Sequence, residues 1–187
     1  MLRPDFPLET ARLLLRPFTE NDFDALYDLQ SRPEVTRYLL FDTRDQGQVR
    51  QALQDRIRSA ALEAEGDNLG LAVVLRATGE VIGEVVLFWR SREHRQGEIG
   101  YIFHPGHGGK GYATEASEEM LRLGFEELGL HRIVGRLNAR NTASARVLQR
   151  LGMRREAELI HSQLLKGEWA DEVVYAMLED EWRAREL

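Results

Sequence analysis

The segment Pro105-Gly106-His107-Gly108-Gly109-Lys110-Gly111-Tyr112-Ala113 lies between an apolar run with strand character, Glu98-Ile99-Gly100-Tyr101-Ile102-Phe103, and a long helical pattern from about Tyr112 to Leu128. Four glycines in six residues let the backbone reach positive φ and approach a ligand with no Cβ in the way. The first turn of the following helix adds free amides and the positive end of its dipole, so a phosphate or pyrophosphate is the natural guest. The plain alternative is a glycine-rich loop with no ligand, and the strand–loop–helix placement favours the phosphate. A nucleotide P-loop fits poorly, because Gly111 follows Lys110 where Ser or Thr is required. A dinucleotide fingerprint fits poorly too, since several hairpin strands precede this loop.

Working outward, Ala113, Ala116, Met120, Leu121, Phe125 and Leu128 form one apolar stripe, and Gly129 predicts the helix end. Upstream, 71–75 and 81–87 flank Ala77-Thr78-Gly79-Glu80 as a hairpin. Nearer the N-terminus, Arg12–Arg16 reads as a strand stopped by Pro17, and Thr19-Glu20-Asn21-Asp22 offers caps for a helix carrying Phe23, Leu26, Tyr27 and Leu29. Pro33 interrupts that helix, and a second covers Gln46 to Leu62. Downstream come a strand over Arg132–Leu137 and a helix over Asn141–Leu151, with Gly152 as a left-handed cap. Two last strands, near Arg154–Ile160 and Glu172–Leu178, are joined through Lys166-Gly167-Glu168-Trp169. The order β-αα-βββ-α-β-α-ββ predicts a mixed α/β fold: antiparallel hairpins beside one parallel strand–helix–strand unit.

The chain has 187 residues, no cysteine and a net charge of −6. That suits one domain spanning 1–187, and excludes disulfides, Cys-ligated zinc and a thiol nucleophile. No apolar run is long enough for a membrane span, and the first residues lack a secretory h-region, so a cytoplasmic protein is expected. The acidic balance gives no reason to expect nucleic acid as a partner, and no membrane partner is expected either. His104 and His107 lie three apart in the loop with no third ligand, so no metal is expected.

The loop Gly109-Lys110-Gly111-Tyr112-Ala113-Thr114-Glu115-Ala116 resembles the acetyl-CoA pyrophosphate loop of the GNAT acetyltransferases, and more narrowly that of the RimJ/RimL-like ribosomal-protein N-acetyltransferases. Three other stretches are similar to that branch: Thr10–Pro17, Pro33–Leu39, and Asn138–Leu148 continuing to Leu151-Gly152-Met153. Gly167–Asp171 and Glu181-Trp182 agree as well. Two positions depart: Gly106 stands where the family often has Gln or Arg, and Gly108 where the branch often has an aromatic residue.

The resemblance implies a GNAT fold: a mostly antiparallel twisted sheet of about seven strands, one parallel splay, and about four flanking helices. It implies acetyl-CoA as co-substrate and transfer of acetyl to a primary amine, either a protein N-terminal α-amine or a small molecule. The pantetheine arm would pair with backbone at Ile102, Phe103 and His104, and Gly106, His107, Gly108, Gly109, Lys110, Gly111, Tyr112 and Ala113 would hold the pyrophosphate. Asn138, Asn141 and Ser144 complete the cofactor set; Asn141 also reads as a simple N-cap, and Ser144 as a candidate proton donor to the thiolate. Amine attack needs a base, for which Glu98 is the first choice and Glu84 the second; a strand carboxylate paired with arginine is an equal reading for each. The absence of cysteine favours direct attack in a ternary complex. A non-catalytic acyl-CoA-binding module is the alternative from another class. A monomer or homodimer is expected.

Overall fold

The computed structural model describes residues 1–186. Its strands are β1 (Leu8–Glu9), β2 (Leu13–Arg16), β3 (Asn68–Leu75), β4 (Val81–Ser91), β5 (Gln96–Phe103), β6 (Arg132–Asn138), β7 (Arg154–Leu165) and β8 (Glu168–Leu178). The helices are α1 (Phe23–Gln30), α2 (Pro33–Thr36), α3 (Gln46–Arg58), α4 (Tyr112–Arg122), α5 (Thr142–Arg150) and α6 (Glu179–Arg183). All eight strands share one sheet in the order β1-β2-β3-β4-β5-β6-β8-β7, and only β5 and β6 pair in parallel. The expected mixed α/β GNAT architecture is present, with one short strand and two single-turn helices more than the sequence indicated.

Several boundaries differ for local reasons. Pro33 does not simply interrupt a helix: it opens α2 at the first position, where its missing N–H costs nothing. The helix expected to Leu62 stops at Arg58, and Leu62 instead bridges Leu2. β7 and β8 run to a two-residue turn at Lys166 and Gly167, with φ of 52° and 87°. Such a turn needs positive φ at both centres, so Glu168 and Trp169 belong to the strand and not to the connection. The expected glycine stops hold, with Gly129 and Gly152 at φ 71° and 78°. α4 ends in a π turn over Leu123–Glu127, where Gly124 faces Ile133 so closely that a Cβ would lie 2.5 Å from its Cδ1.

Alternation places the layers. Leu87 and Ile99 point into the larger core, with Met120, Leu121 and Leu148 packed over them from α4 and α5. The opposite face carries Ala72, against which Leu26, Val49 and Leu53 of α1 and α3 bury a smaller cluster. Glu84 stands on this second face, buried, with both carboxylate oxygens on Arg56 of α3, one at 2.7 Å from Nη2.

At the far edge, Arg132 and Arg154 converge on Glu156. Hydrogen bonds from Arg132 first, then from Arg154, hold that carboxyl at about 2, below its ordinary 4.5. Its folded value is depressed, so the stability it contributes is present above pH 4.5 and is lost as pH falls towards 2. Thermal melts of Glu156→Gln should therefore lie below wild type at pH 7 and merge with it towards pH 2. A gap that persists at pH 2 would contradict this.

Candidate functional site

The parallel pair is short: Gln96, Gly97 and Glu98 face Arg132, Ile133 and Val134, and pairing then ends. Beyond it β5 stays on β4 as far as Phe103, while β6 stays on β8 as far as Asn138. The middle of the sheet therefore opens into a wedge with Glu98 at its apex. On the α5 side the Tyr101 hydroxyl spans this wedge and donates to the Ser144 carbonyl at 2.8 Å. Burial pushes the Tyr101 phenol well above its ordinary range, which keeps it a donor at neutral pH.

The wedge leads to the glycine loop. There the amides of Gly106, His107 and Gly108 are occupied within the loop itself, by His104 Nδ1, the His104 carbonyl and the Pro105 carbonyl. By contrast, among the described residues no acceptor reaches the amides of Gly109, Lys110, Gly111, Tyr112, Ala113 or Thr114. Gly109 and Gly111 sit at φ 77° and 84°, a left-handed geometry of the kind from which anion-binding backbone nests are built. Six unpartnered N–H groups in and just before the first turn of an eleven-residue helix suit a doubly charged pyrophosphate. Gly106, His107 and Gly108 thus have their amides engaged within the turn, whereas Thr114, absent from the expected set, has an unpartnered one.

Along β5 the expected backbone donors also divide. His104 donates its N–H to Ile82 of β4 at 2.8 Å, so its amide is not available to pantetheine. The antiparallel ladder alternates, which turns Ile102 towards β4 as well and leaves Tyr101 and Phe103 facing the wedge. The His104 ring is engaged too, with Nε2 3.0 Å from Asp28, and His107 Nε2 lies 3.1 Å from Glu80. Asn141 caps α5 by accepting from the Ser144 amide at 3.1 Å. Asn138 is buried and accepts from the Arg140 amide at 2.9 Å, which fixes the turn before α5.

Glu98 alternates with buried Ile99 and so stands on the α1–α3 face, opposite α5. It accepts from Arg90 Nε at 3.0 Å and lies 3.9 Å from Arg136 Nε; its side chain is 18% exposed. Arg136 in turn donates to Glu172 at 3.0 Å, and Gln163 donates to the other Glu172 oxygen at 2.6 Å. This row crosses the sheet at the wedge. Glu172 was not among the sequence candidates, although a carboxylate opening the apolar run of β8 was its available signal. The β7–β8 hairpin reaches across to α2: Lys166 Nζ donates to the Thr36 carbonyl at 2.8 Å and lies 3.2 Å from Asp42. Between the two candidate bases the geometry favours Glu98, because Glu84 is buried with both oxygens on Arg56.

Comparison with known proteins agrees with this geometry. Residues 12–154 match the Acetyltransferase (GNAT) domain family. The chain is 36% identical over 180 residues to the uncharacterized N-acetyltransferase YnaD of Bacillus subtilis (strain 168), covering 94% of this chain and 98% of that protein. A GNAT-family acetyltransferase crystal structure from Bacillus anthracis superposes with a TM-score of 0.83 at 32% identity, covering 93% of this chain and 99% of the other. Spermidine N-acetyltransferase from Vibrio cholerae, solved with CoA and spermine, shares the fold at a TM-score of 0.78 and 20% identity, covering 93% and 99%.

Proposed function

Since the chain belongs to the GNAT acetyltransferase family, we propose that it moves acetyl from acetyl-CoA to a primary amine by direct attack in a ternary complex. The observation that carries the donor is the row of six unpartnered amides, Gly109 to Thr114, placed where a split sheet can take an extended pantetheine arm. The Phe103 amide, facing the wedge, is the donor we assign to the thioester carbonyl oxygen. Glu98, acting directly or through water, takes the proton that the ammonium must lose before nitrogen can attack. The nitrogen then bonds to the carbonyl carbon, the C–S bond breaks as the tetrahedral intermediate collapses, and the thiolate leaves. Ser144, at the start of α5, gives its hydroxyl proton to the sulfur and is restored by the second proton that the nitrogen sheds on becoming an amide. No acyl-enzyme intervenes.

The acceptor side lies between α2 and the β7–β8 hairpin. The RimJ/RimL-like resemblance supports a protein N-terminal α-amine, and the structural likeness to a spermidine acetyltransferase supports a small cationic amine. The reading includes a cytoplasmic protein acting as monomer or homodimer; among the described residues no helix is long and apolar enough to cross a membrane.

The test is CoA release from acetyl-CoA across N-terminal peptides, polyamines, amino acids and aminoglycosides. Thiol detection is clean here because the chain has no cysteine. Amine-dependent CoA release with at least one class is expected. Acetyl-CoA binding with only background release throughout would mark an acyl-CoA-binding module instead.

A further inference from the structure

We propose that Arg12, just before β2, is a positioning residue that holds the loop from Gly109 to Thr114 in its phosphate-binding form. This rests on reading that loop as the acetyl-CoA pyrophosphate site. The loop has little to hold itself with, since four of its residues from 106 to 111 are glycine. Arg12 supplies the missing ties. Its Nη1 donates to the Lys110 carbonyl at 2.9 Å, its Nε to Glu115 at 2.7 Å, and its guanidinium lies 4.6 Å from the Tyr112 ring centre. Fixing the Lys110 carbonyl on one side holds the Gly111 N–H of the same trans peptide on the other. The anchor is firm, because Leu13 and Leu15 of β2 are fully buried.

Glu115 explains why a cation is needed at this spot. It lies in the first turn of α4, where its charge competes with any phosphate for the positive end of the helix. Its oxygens are fully engaged: the Thr10 hydroxyl donates at 2.6 Å and the Arg12 amide at 2.8 Å, besides the guanidinium. Burial raises this carboxyl, but those hydrogen bonds outweigh it and leave it below its ordinary value, hence ionised. Arg12 neutralises that charge and ties it to the sheet in one contact.

The experiment compares two donors, acetyl-CoA and acetyl-pantetheine, which lacks the pyrophosphate. In Arg12→Gln the ratio of kcat/KM for acetyl-CoA to that for acetyl-pantetheine should fall roughly tenfold or more, as expected for lost charge-assisted bonds. Glu115→Gln should weaken acetyl-CoA in the same direction, because the loop is released. If Arg12 served only as a charge on the phosphate, Glu115→Gln would instead tighten binding by freeing it. An unchanged ratio in Arg12→Gln, an equal loss with both donors, or tighter binding in Glu115→Gln overturns the proposal. Direct titration of wild type with acetyl-CoA separates the two levels: no binding there overturns the functional reading itself.

Discussion

Replacing Glu98 with Gln is expected to lower kcat by about 100-fold or more while leaving the Kd for acetyl-CoA within twofold. The magnitude is that of removing a positioned general base, roughly 10²–10⁴ in rate. The split follows from placement. Glu98 is at the apex of the wedge on the α1–α3 face, whereas the unpartnered amides proposed to hold the pyrophosphate begin at Gly109, beyond the end of β5. Structural damage is separable, because its partner Arg90 is about half exposed and such a pair contributes only about 0–1 kcal/mol. A melting temperature near that of wild type with lost turnover supports the base role. Near-normal turnover with every acceptor would remove Glu98 from it.

Arg56→Ala is expected to be the most destabilising single change among those considered, by about 3–5 kcal/mol. It strands the Glu84 carboxylate, only 7% exposed, without the arginine that donates to both its oxygens. For a chain of this size that corresponds to a fall of roughly 6–20 °C in Tm. The double replacement Arg56→Met with Glu84→Leu should recover most of the loss, since removing both charges leaves none unpaired. Equal instability in single and double variants would contradict the ion-pair account. Retained turnover in the refolded double variant would also separate Glu84, which ties α3 to the sheet, from Glu98.

Much of this architecture is written locally. Gly129 and Gly152 end helices because each position needs a left-handed backbone, and the stripe from Ala113 to Leu128 is visible as helical spacing. β7 was harder to read. It is exposed on both faces over much of its length, so Ile160-His161-Ser162-Gln163 carries no alternation to mark a strand. β1 has two residues and no pattern to find. The count of strands and helices fell short for the same reason, brevity.

The candidate site divides along a similar line. The glycine loop is one continuous segment whose backbone geometry follows from residue type and neighbouring elements, so its place between β5 and α4 was readable. Which amides were free was not, because that depends on where carbonyls and side chains fold back: His104 Nδ1 takes Gly106, and Ile82 takes His104. Glu98 and Glu84 read alike as strand carboxylates, and only the packing of α3 against β4 gave Glu84 its arginine.

The sequence by itself thus determined the order of the longer elements, the single parallel crossover and the place of the glycine loop, since each rests on local backbone preference or on spacing within one element. The tertiary structure alone decided where β5 and β6 part, which carboxylate stands at that parting, and how Arg12 comes to hold Lys110 and Glu115. Those depend on strands and side chains far apart in sequence meeting in space, about a hundred residues for Arg12 and its partners, a geometry that no local pattern encodes.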